Sequence, residues 1–371
     1  MNILWFTWKD YTHPQAGGAE TVLRELSHRL VADGHKVTFL TVRHAGAAPY
    51  ETIDGIEIIR VGSNRYLHPF QALAHYLKNM RNKYDVVIEV VNTAPYFGAL
   101  FKGTSKGYVF CHQLAREVWF HELKKPFSSI GYHMLEPVAL RLLSKAKAGL
   151  ITVSDSTRND MQKFGFQADK AYIISEGIEI EPVADLQSQE KFEHPTLLSL
   201  GAMRAMKRTL DQIEAFEAAK AHIPELKMIM AGDTSGEYGE RVLAQIAASP
   251  YSKDITVEGR VSTSRKTELM RRSHVFAVTS VKEGWGLVVT EAASQGTPAV
   301  VYDVDGLRDS VRHGKTGIIC EPTPTALAEG IADMLRNRRR YEKIRRAAWE
   351  WSKDITFDQS YRDFKTALEL A

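Results

Sequence analysis

Cysteine is scarce in this chain, since only Cys111 and Cys320 occur among its 371 residues. Two cysteines are too few for a disulfide scaffold or a cysteine-based structural zinc site, and such low usage is consistent with a reducing cytoplasm. Long apolar runs are missing as well: no uninterrupted apolar stretch of about 18 residues occurs, and the N-terminus lacks a basic segment followed by a long apolar one. We therefore expect a cytoplasmic protein without a signal peptide or a membrane-spanning helix.

An excess of charge of one sign is also missing. The chain carries 48 lysines and arginines against 45 aspartates and glutamates, a formal net charge of +3, whereas nucleic-acid-binding domains usually present a strongly basic face. Residues 1–175 hold 21 basic and 15 acidic side chains, and the remainder hold 27 and 30. We expect no nucleic acid as a partner, and the basic first half is compatible with peripheral association with an anionic membrane at the inner face.

Length and composition, with 44% apolar and 25% charged residues, predict two ordinary globular domains. Short apolar runs alternate with amphipathic stretches in two series, which predicts parallel strands covered by helices on both faces. The first series places strands at residues 3–7, 36–42, 56–61, 85–91, 107–111 and 149–153. The second places them at 196–200, 227–231, 255–257, 275–279, 299–302 and 317–320. The predicted fold class is α/β, with two Rossmann-like doubly wound domains.

The two series are separated by a polar, acidic stretch at residues 179–195. We predict a first domain over 1–180, a linker over 181–195, a second domain over 196–355, and a C-terminal helix over 356–371 that packs back on the first domain. Two domains joined in this way leave a cleft, and doubly wound sheets bind ligands beyond the carboxyl ends of their strands. Site residues are therefore expected in the loops that follow strands.

The stretch from Glu283 to Glu291 combines a glycine turn, a helix start and two carboxylates. Gly286 permits a tight turn after the preceding strand, so a helix is predicted to begin at Leu287. The free amides of Leu287 and Val288 at this positively polarised helix end suit a phosphate. A carboxylate can accept two hydrogen bonds from a vicinal diol, so Glu283 and Glu291 suit sugar hydroxyls. The same spacing also fits a plain helix cap with two solvated glutamates.

Two cations follow the first strand of the second series. Arg204 and Lys207 are predicted at the carboxyl end of strand 196–200, where cations would neutralise a diphosphate leaving group. The structural alternative is a basic turn that caps the next helix.

Two loops of the first series carry further candidates. Gly17 and Gly18 follow the first strand and let a ligand approach the backbone, although such glycines also serve turn geometry alone. His112 directly follows the strand that ends at Cys111 and would orient or donate to a substrate oxygen, although a lone histidine is commonly structural. A nucleophilic Cys111–His112 pair is excluded, because neighbours on a strand point to opposite faces.

Three familiar site patterns are incomplete or missing. The G-x-G-x-x-G fingerprint is not found, which disfavours a dehydrogenase. Gly314-Lys315-Thr316 resembles the end of a P-loop, but Asp309 stands where the required first glycine would be. Asp303-Val304-Asp305 has the spacing of a metal-binding Asp-x-Asp pair, yet it falls in a loop of the second domain, and we expect no metal site there.

In this order, the motifs resemble the family 4 retaining glycosyltransferases of the GT-B fold, over essentially the whole chain. The most specific element is Glu283 and Glu291, with seven residues between them as in the family's E-x7-E signature, followed by Gly296-Thr297-Pro298. Residues 17–20, 305–306 and 314–317 fit as well. The resemblance implies a GT-B architecture, in which two Rossmann-like domains face each other across a cleft and a C-terminal helix crosses back to the first domain.

The resemblance also implies roles for individual residues in a donor site on the second domain. Glu291 matches the glutamate on the nucleotide ribose, and Glu283 matches the one on the donor sugar's hydroxyls. Leu287 and Val288, after Gly286, match the amides on the diphosphate, and Lys207 matches the neutralising lysine. The implied catalytic residues are His112, Glu283, Lys207 and Arg204.

Further positions carry over from the same resemblance. Gly17 and Gly18 are assigned to the donor side, and His112 resembles the first-domain histidine near the donor sugar. The residues expected to lie against the nucleotide base are Gly259, Arg260 and Val261. The residues expected on the acceptor side are Arg116, Glu117 and Trp119.

The sequence departs from the family pattern at three places, one of which is Thr234, where a glycine is frequent after Gly232-Asp233. Gly201-Ala202 stands where Gly-Arg is usual, so we hypothesise that Arg204 supplies the missing guanidinium. Glu176-Gly177 stands where Asn-Gly is common.

The resemblance implies transfer of a hexose or related sugar from a nucleoside-diphosphate-sugar, with retention and with neither cofactor nor catalytic metal. The acceptor would be a hydroxyl of a glycan, a lipid-linked or a small molecule, and UDP, GDP and ADP are the candidate nucleotides. The alternatives are a donor-binding but inactive subunit of a glycosyltransferase complex, and an epimerase or phosphorylase on the same architecture.

Overall fold

The structure is a computed structural model that describes residues 1–64, 67–92 and 95–370. It divides into two compact units, the first formed by Met1–Gly177 with the C-terminal residues from Thr356, the second by Ile178–Ile355. Residues 181–195 therefore belong to the second unit, and the helix expected near the C-terminus belongs to the first. Within the described ranges, no helix is long and apolar enough to cross a membrane.

A twisted sheet forms the centre of the first unit. Its strands are β1 (Asn2–Phe6), β2 (Lys36–Thr41), β3 (Tyr50–Ile53), β4 (Ile56–Arg60), β5 (Val86–Val91), β6 (Lys106–Cys111), β7 (Gly149–Thr152) and β8 (Tyr172–Ile173). Its helices before the second unit are α1 (Gly18–Ala32), α2 (His68–Asn79), α3 (Trp119–Glu122), α4 (Phe127–Ile130), α5 (Glu136–Leu143) and α6 (Asp155–Gln162). The strand order is β3-β4-β2-β1-β5-β6-β7-β8, and the central strands are buried on both faces.

The second unit is a doubly wound parallel sheet. Its strands are β9 (Thr196–Leu200), β10 (Lys227–Ala231), β11 (Ile255–Gly259), β12 (Val275–Val278), β13 (Ala299–Tyr302) and β14 (Gly317–Cys320), in the order β11-β10-β9-β12-β13-β14. Its helices are α7 (Thr209–Lys220), α8 (Glu237–Ala248), α9 (Thr263–Arg272), α10 (Leu287–Ser294), α11 (Pro324–Arg336) and α12 (Arg338–Ser352). Together the two units confirm the predicted α/β class with two Rossmann-like domains.

The edge strand β3 departs from the all-parallel expectation, because it runs antiparallel to β4. The two strands are joined by Asp54 and Gly55, both with positive φ (51° and 79°), as a tight hairpin turn requires. The Asp-Gly dipeptide is the sequence signal for this hairpin.

The last helix, α13 (Phe357–Leu368), packs on the first unit. Phe364 stacks on Trp5 of β1 with ring centroids 5.5 Å apart, and both side chains are fully buried. The Tyr361 hydroxyl donates to Asp33 at the end of α1 at 2.9 Å. An aromatic stack of this kind adds to the stabilisation from apolar burial.

Lys191 ties residues 181–195 to the rest of the second unit. Its Nζ donates to the carbonyl oxygens of Ser273 (2.6 Å), Gly296 (2.8 Å) and Arg271 (2.9 Å) and lies 2.9 Å from the hydroxyl oxygen of Thr297. Burial lowers the pKa of this amine well below its usual value. A buried lysine that satisfies several carbonyls holds its segment on the domain, because unpaired buried carbonyls are costly.

His274, immediately before β12, should make the second unit sensitive to mild acid. Its Nδ1 accepts the Thr196 N–H at 3.1 Å, and burial lowers the pKa of this histidine to about 4, with Lys191 and Arg345 adding repulsion. Because the folded pKa lies below the unfolded value of about 6.5, its stabilising contribution is complete above that pH and is lost as the pH falls through about 4.

We therefore expect His274→Asn, whose amide oxygen can replace Nδ1 as the acceptor, to lose less thermal stability than the wild type between about pH 6.5 and 4. The wild type should lose about 3 kcal/mol more of its free energy of unfolding than the variant by about pH 4. Melting temperatures across this range measure it, with the exposed His222→Asn as the matched control. Parallel melting curves for wild type and His274→Asn would contradict the assignment.

Candidate active site

Glu283 and Lys207 meet at the carboxyl ends of two neighbouring strands of the second unit. β9 lies next to β12 in the sheet, so the loops that follow them leave the sheet side by side. Lys207 ends a short 3-10 turn in the first loop, and its Nζ lies 2.5 Å from Oε1 of Glu283 in the second. The Ser280 hydroxyl donates to the same oxygen at 2.6 Å. The two predicted residues thus come together as an ion pair, a contact that the sequence did not predict.

The backbone of Glu283 is held by the loop that contains Asp305 and Gly306. The Glu283 N–H donates to the Asp305 carbonyl at 3.0 Å. Gly306 has a φ of +81°, and a Cβ at this position would lie 2.2 Å from the Glu283 carbonyl oxygen. A side chain at position 306 is therefore excluded, which accounts for the Asp-Gly motif in physical terms.

Glu291 lies on α10 and pairs with a lysine that the sequence did not indicate. Its two carboxylate oxygens lie 2.8 and 2.7 Å from Nζ of Lys266 on α9. Glu291 is 7% exposed, and burial raises the pKa of its carboxyl group. Lys266 supplies the counter-charge that keeps an ionised carboxylate tolerable at a nearly buried position. No spacing rule connects these two residues, because they lie on different helices.

The N-terminus of α10 forms as predicted, with Leu287 as its first residue. Gly286 adopts a left-handed conformation with φ +94° immediately before it. Leu287 and Val288 are only partly buried, and amides in the first turn of a helix have no intrahelical acceptor. This end of α10 carries partial positive charge and directly follows the loop that contains Glu283.

Arg204 is exposed in the loop after β9, and its side chain has no ion-pair partner among the residues that the structure describes. Its carbonyl oxygen accepts the Lys207 N–H at 2.8 Å. The loop begins with a close backbone approach, since a Cβ on Gly232 would lie 1.8 Å from the Gly201 carbonyl oxygen. The guanidinium of Arg204 is therefore available to an anion, as the hypothesis for it requires.

The predicted base-contacting segment begins at Gly259, the last residue of β11, at the carboxyl end of the strand. Gly259 has a φ of +65°, and its carbonyl accepts the Gly232 N–H at 2.7 Å. Arg260 donates to Oδ2 of Asp233 at 2.7 Å, and this hydrogen bond lowers the pKa of Asp233 to about 2. Val261 is partly buried. The contact of Gly259, Arg260 and Val261 with a base stays a prediction.

In the first unit, His112 is held by Glu176. Its Nδ1 lies 2.6 Å from Oε1 of Glu176, and its ring stacks on Phe110 at 4.6 Å. A carboxylate can only accept, so Nδ1 carries the proton and Nε2 is left for another partner. Nε2 is buried and has no hydrogen-bond partner within the described part of the chain. The sequence marked Glu176 as a departure from the family pattern and did not connect it with His112.

Two of the three predicted acceptor-side residues, Arg116 and Trp119, contact Glu136, another residue that the sequence did not single out. Glu136 accepts the Arg116 N–H at 2.9 Å and the indole N–H of Trp119 at 3.0 Å. Burial raises the pKa of Glu136. The Arg116 guanidinium lies over the Tyr132 ring at 4.0 Å. Glu117 is exposed, so of the three predicted residues it is the most accessible to solvent.

Gly17 and Gly18 lie exposed at the N-terminus of α1. The Gly17 N–H donates to Oε2 of Glu20 at 2.7 Å, and Lys9 lies 3.4 Å from the same oxygen. A Cβ on Gly17 would meet only Glu20, at 3.7 Å. The structure therefore gives no packing reason for this glycine, and its role toward a donor stays a prediction.

The Asp303 and Asp305 carboxylates are paired with cations. Arg308 contacts both, with Nε 2.8 Å from Asp303, and Lys282 lies 2.5 Å from Asp305. Over the described ranges, no cluster of three or more histidine, cysteine or acidic side chains could hold a metal ion.

Comparison with known proteins matches both halves of the chain to sugar-transferring families. A model described as "Glycosyl transferases group 1" matches residues 184–351, and one described as "Glycosyltransferase Family 4" matches residues 16–182. The N-acetyl-alpha-D-glucosaminyl L-malate synthase of Bacillus anthracis is 23% identical, over 94% of this chain and 91% of that protein.

Two solved structures show the same fold. Sucrose-phosphate synthase from Thermosynechococcus elongatus superposes with a TM-score of 0.79 at 18% identity, covering 99% of this chain and 98% of the other. HepE of Anabaena, solved in complex with UDP-glucose, gives a TM-score of 0.74 at 16% identity, covering 100% of this chain and 99% of the other. At these identities the likeness is one of architecture.

Proposed function

Because this chain belongs to the family 4 glycosyltransferases of the GT-B fold, we propose that it transfers a hexose or related sugar from a nucleoside-diphosphate-sugar to an acceptor hydroxyl, with retention and without a catalytic metal. The acceptor would be a glycan, a lipid-linked or a small molecule. The complex of the similar HepE with UDP-glucose supports a nucleotide-sugar as the donor class.

One observation carries this proposal: Lys207, Glu283 and the N-terminus of α10 converge beyond the carboxyl ends of β9 and β12, with Glu291 further along α10. A cation beside the free amides of Leu287 and Val288 suits a diphosphate. The carboxylates of Glu283 and Glu291 suit the hydroxyls of a sugar and a ribose. The site therefore offers positive charge for the leaving group and acceptors for the two sugars on either side of it.

In the proposed reaction the acceptor oxygen bonds to the anomeric carbon on the face from which the diphosphate leaves. The bond from that carbon to the phosphate oxygen breaks, and the departing phosphate takes the acceptor's proton. Lys207, Arg204 and the α10 amides stabilise the charge that develops on the phosphate. His112 contributes Nε2 toward the sugar or the acceptor, and Glu283 orients the sugar. A covalent sugar adduct on Glu283 would overturn this scheme.

The donor assignment is tested by thermal shift with UDP, GDP, ADP and their common sugar conjugates in the presence of EDTA. We expect one nucleotide class to raise the melting temperature, since a ligand at 100 times its dissociation constant stabilises by about 2.7 kcal/mol. Glu291→Gln should lose most of this shift, because the ribose loses its charged acceptor. The exposed Glu214→Gln in the same unit is the matched control.

The panel is repeated with added divalent metal in place of EDTA and followed by a transfer assay, and each outcome has a definite meaning. No shift with any nucleotide in the wild type would reject the donor site. Equal shifts for wild type and Glu291→Gln would reject the ribose contact. A shift that appears only with added divalent metal would reject metal-independent donor binding. A normal shift without transfer to any acceptor would favour the inactive-subunit alternative.

A further inference from the structure

An exposed row of apolar side chains runs along one helical segment of the first unit. We call these six residues the apolar stripe: Phe127, Ile130, Met134, Leu135, Val138 and Leu142. Phe127 is 68% exposed, and the other five are between 39% and 54% exposed. Single exposed apolar residues are ordinary, whereas several on one helix face mark an interaction surface.

The apolar stripe faces outward because the opposite face of the same segment packs on the first unit. α4 and α5 are connected by a π-helical turn over Gly131–Leu135, and all flanking residues continue in helical conformation. On the inner face, Leu140 and Leu143 join the apolar core of this unit. Gly131 lies against the Trp119 ring, where a Cβ would come within 2.4 Å of ring carbons. The segment is therefore amphipathic, with its inner face packed and its outer face uncovered.

Positive charge flanks the stripe at both ends. Lys124 and Lys125 precede it, and Arg141, Lys145 and Lys147 lie at or beyond its far end; all five are exposed. The acidic side chains in this stretch do not cancel them. Glu136 points inward and is 2% exposed, which leaves Glu122 as the exposed carboxylate between residues 119 and 147.

We propose that the apolar stripe and its flanking cations dock on the surface of an anionic lipid bilayer, with the segment lying in the headgroup region. Helices that lie in the membrane interface carry aromatic and aliphatic side chains on one face, with lysines and arginines around them. The cations match lipid phosphates in sign, and each adds about fivefold to binding at an anionic surface. No helix in the described ranges could span the bilayer instead. This proposal does not depend on sugar transfer, because its test measures binding alone.

The test is flotation of the full chain with vesicles of phosphatidylcholine alone and of phosphatidylcholine mixed with phosphatidylglycerol. We expect the wild type to float with the anionic vesicles and much less with the neutral ones. Lys124→Ser combined with Lys125→Ser should weaken binding about 20-fold. Phe127→Ser combined with Met134→Ser should weaken it at least about tenfold on both vesicle types.

Control variants keep the test decisive. Phe127→Leu with Met134→Leu should still float, and Leu243→Ser removes a comparably exposed apolar side chain (40%) from the second unit without effect. Each variant must melt at the wild-type temperature. Wild-type protein that floats with neither vesicle type, or flotation that the stripe variants leave unchanged, would overturn the proposal. A wild-type dimer that the same variants dissociate would identify the stripe as a contact between copies and would likewise overturn it.

Discussion

Replacing Lys207 with methionine should weaken the binding of a nucleoside diphosphate about 100-fold, whereas replacing Glu283 with glutamine should leave it unchanged or tighten it. The reason is the contact between them, in which the lysine Nζ lies 2.5 Å from the carboxylate. A charge-assisted hydrogen bond to phosphate contributes about 1.5–3 kcal/mol, which the first variant loses. The second variant removes a negative charge from beside the phosphates and frees the lysine for them.

The same two variants should respond differently to the sugar. Glu283→Gln should weaken the binding of the nucleotide-sugar more than the binding of the nucleotide, because only the nucleotide-sugar presents the hydroxyls of the donor sugar to this side chain. Lys207→Met should reduce the affinity for both ligands by the same factor. Isothermal titration with each ligand measures the two ratios, and an unchanged ratio in Glu283→Gln would remove this carboxylate from the sugar site.

Arg204→Ala belongs in the same series, with the exposed Arg339→Ala as control. If Arg204 supplies the guanidinium, the nucleotide should bind about tenfold more weakly to Arg204→Ala. Unchanged affinity in Arg204→Ala together with abolished binding in Lys207→Ala would show that Arg204 does not substitute for the family's arginine.

Glu176→Gln should lower the turnover number about 10–100-fold while leaving the dissociation constant of the donor unchanged. Glu176 accepts from Nδ1 of His112. Carboxylates that orient metal-ligating histidines carry an effect of this size, and we expect the same order for a histidine that faces substrate. Lys207, Glu283 and Glu291, the proposed diphosphate and sugar contacts, lie in the other unit, so the affinity for the nucleotide is not expected to change. Single-turnover rates and direct binding measurements separate the two quantities.

A double-mutant cycle distinguishes positioning of the histidine from a general structural role. If Glu176 acts through His112, Glu176→Gln should not lower the turnover number any further in a protein that already carries His112→Ala. Glu176→Asp should recover part of the activity, since it retains the charge, and the exposed Glu122→Gln in the same unit should behave as wild type. Additive losses, or a lower melting temperature that accounts for the loss, would show that Glu176 only supports the fold.

The sequence predicted most of the sheet because parallel strands are continuous apolar runs. The runs at 196–200, 227–231, 299–302 and 317–320 match β9, β10, β13 and β14 residue for residue. β3 was missed because Tyr50–Ile53 is largely exposed and has no apolar run. Periodicity cannot identify such an edge strand, although the Asp54-Gly55 turn marks it.

In the candidate site, the local structure of a single motif could be predicted from the sequence. The contacts of its residues with side chains far away in the chain could not. The loop before α10 and its glycine gave the helix start at Leu287. Glu176, Lys266 and Glu136 act on residues 64, 25 and 20 positions away in the chain. Their contacts arise from tertiary packing, and no single-sequence spacing encodes them. The predicted domain limits, the cytoplasmic location and the absence of a metal requirement stay predictions.

The ion pair between Lys207 and Glu283 has a consequence for competition by small anions in the cell. A free inorganic phosphate ion would have to part the lysine from its carboxylate, and it carries no sugar hydroxyls that could be placed beside the phosphate to compensate that carboxylate. A sugar nucleotide would give phosphate oxygens to the amine and hydroxyl protons to the carboxylate in the same step. The pair would therefore favour a molecule that carries both phosphate and sugar hydroxyls over free inorganic phosphate.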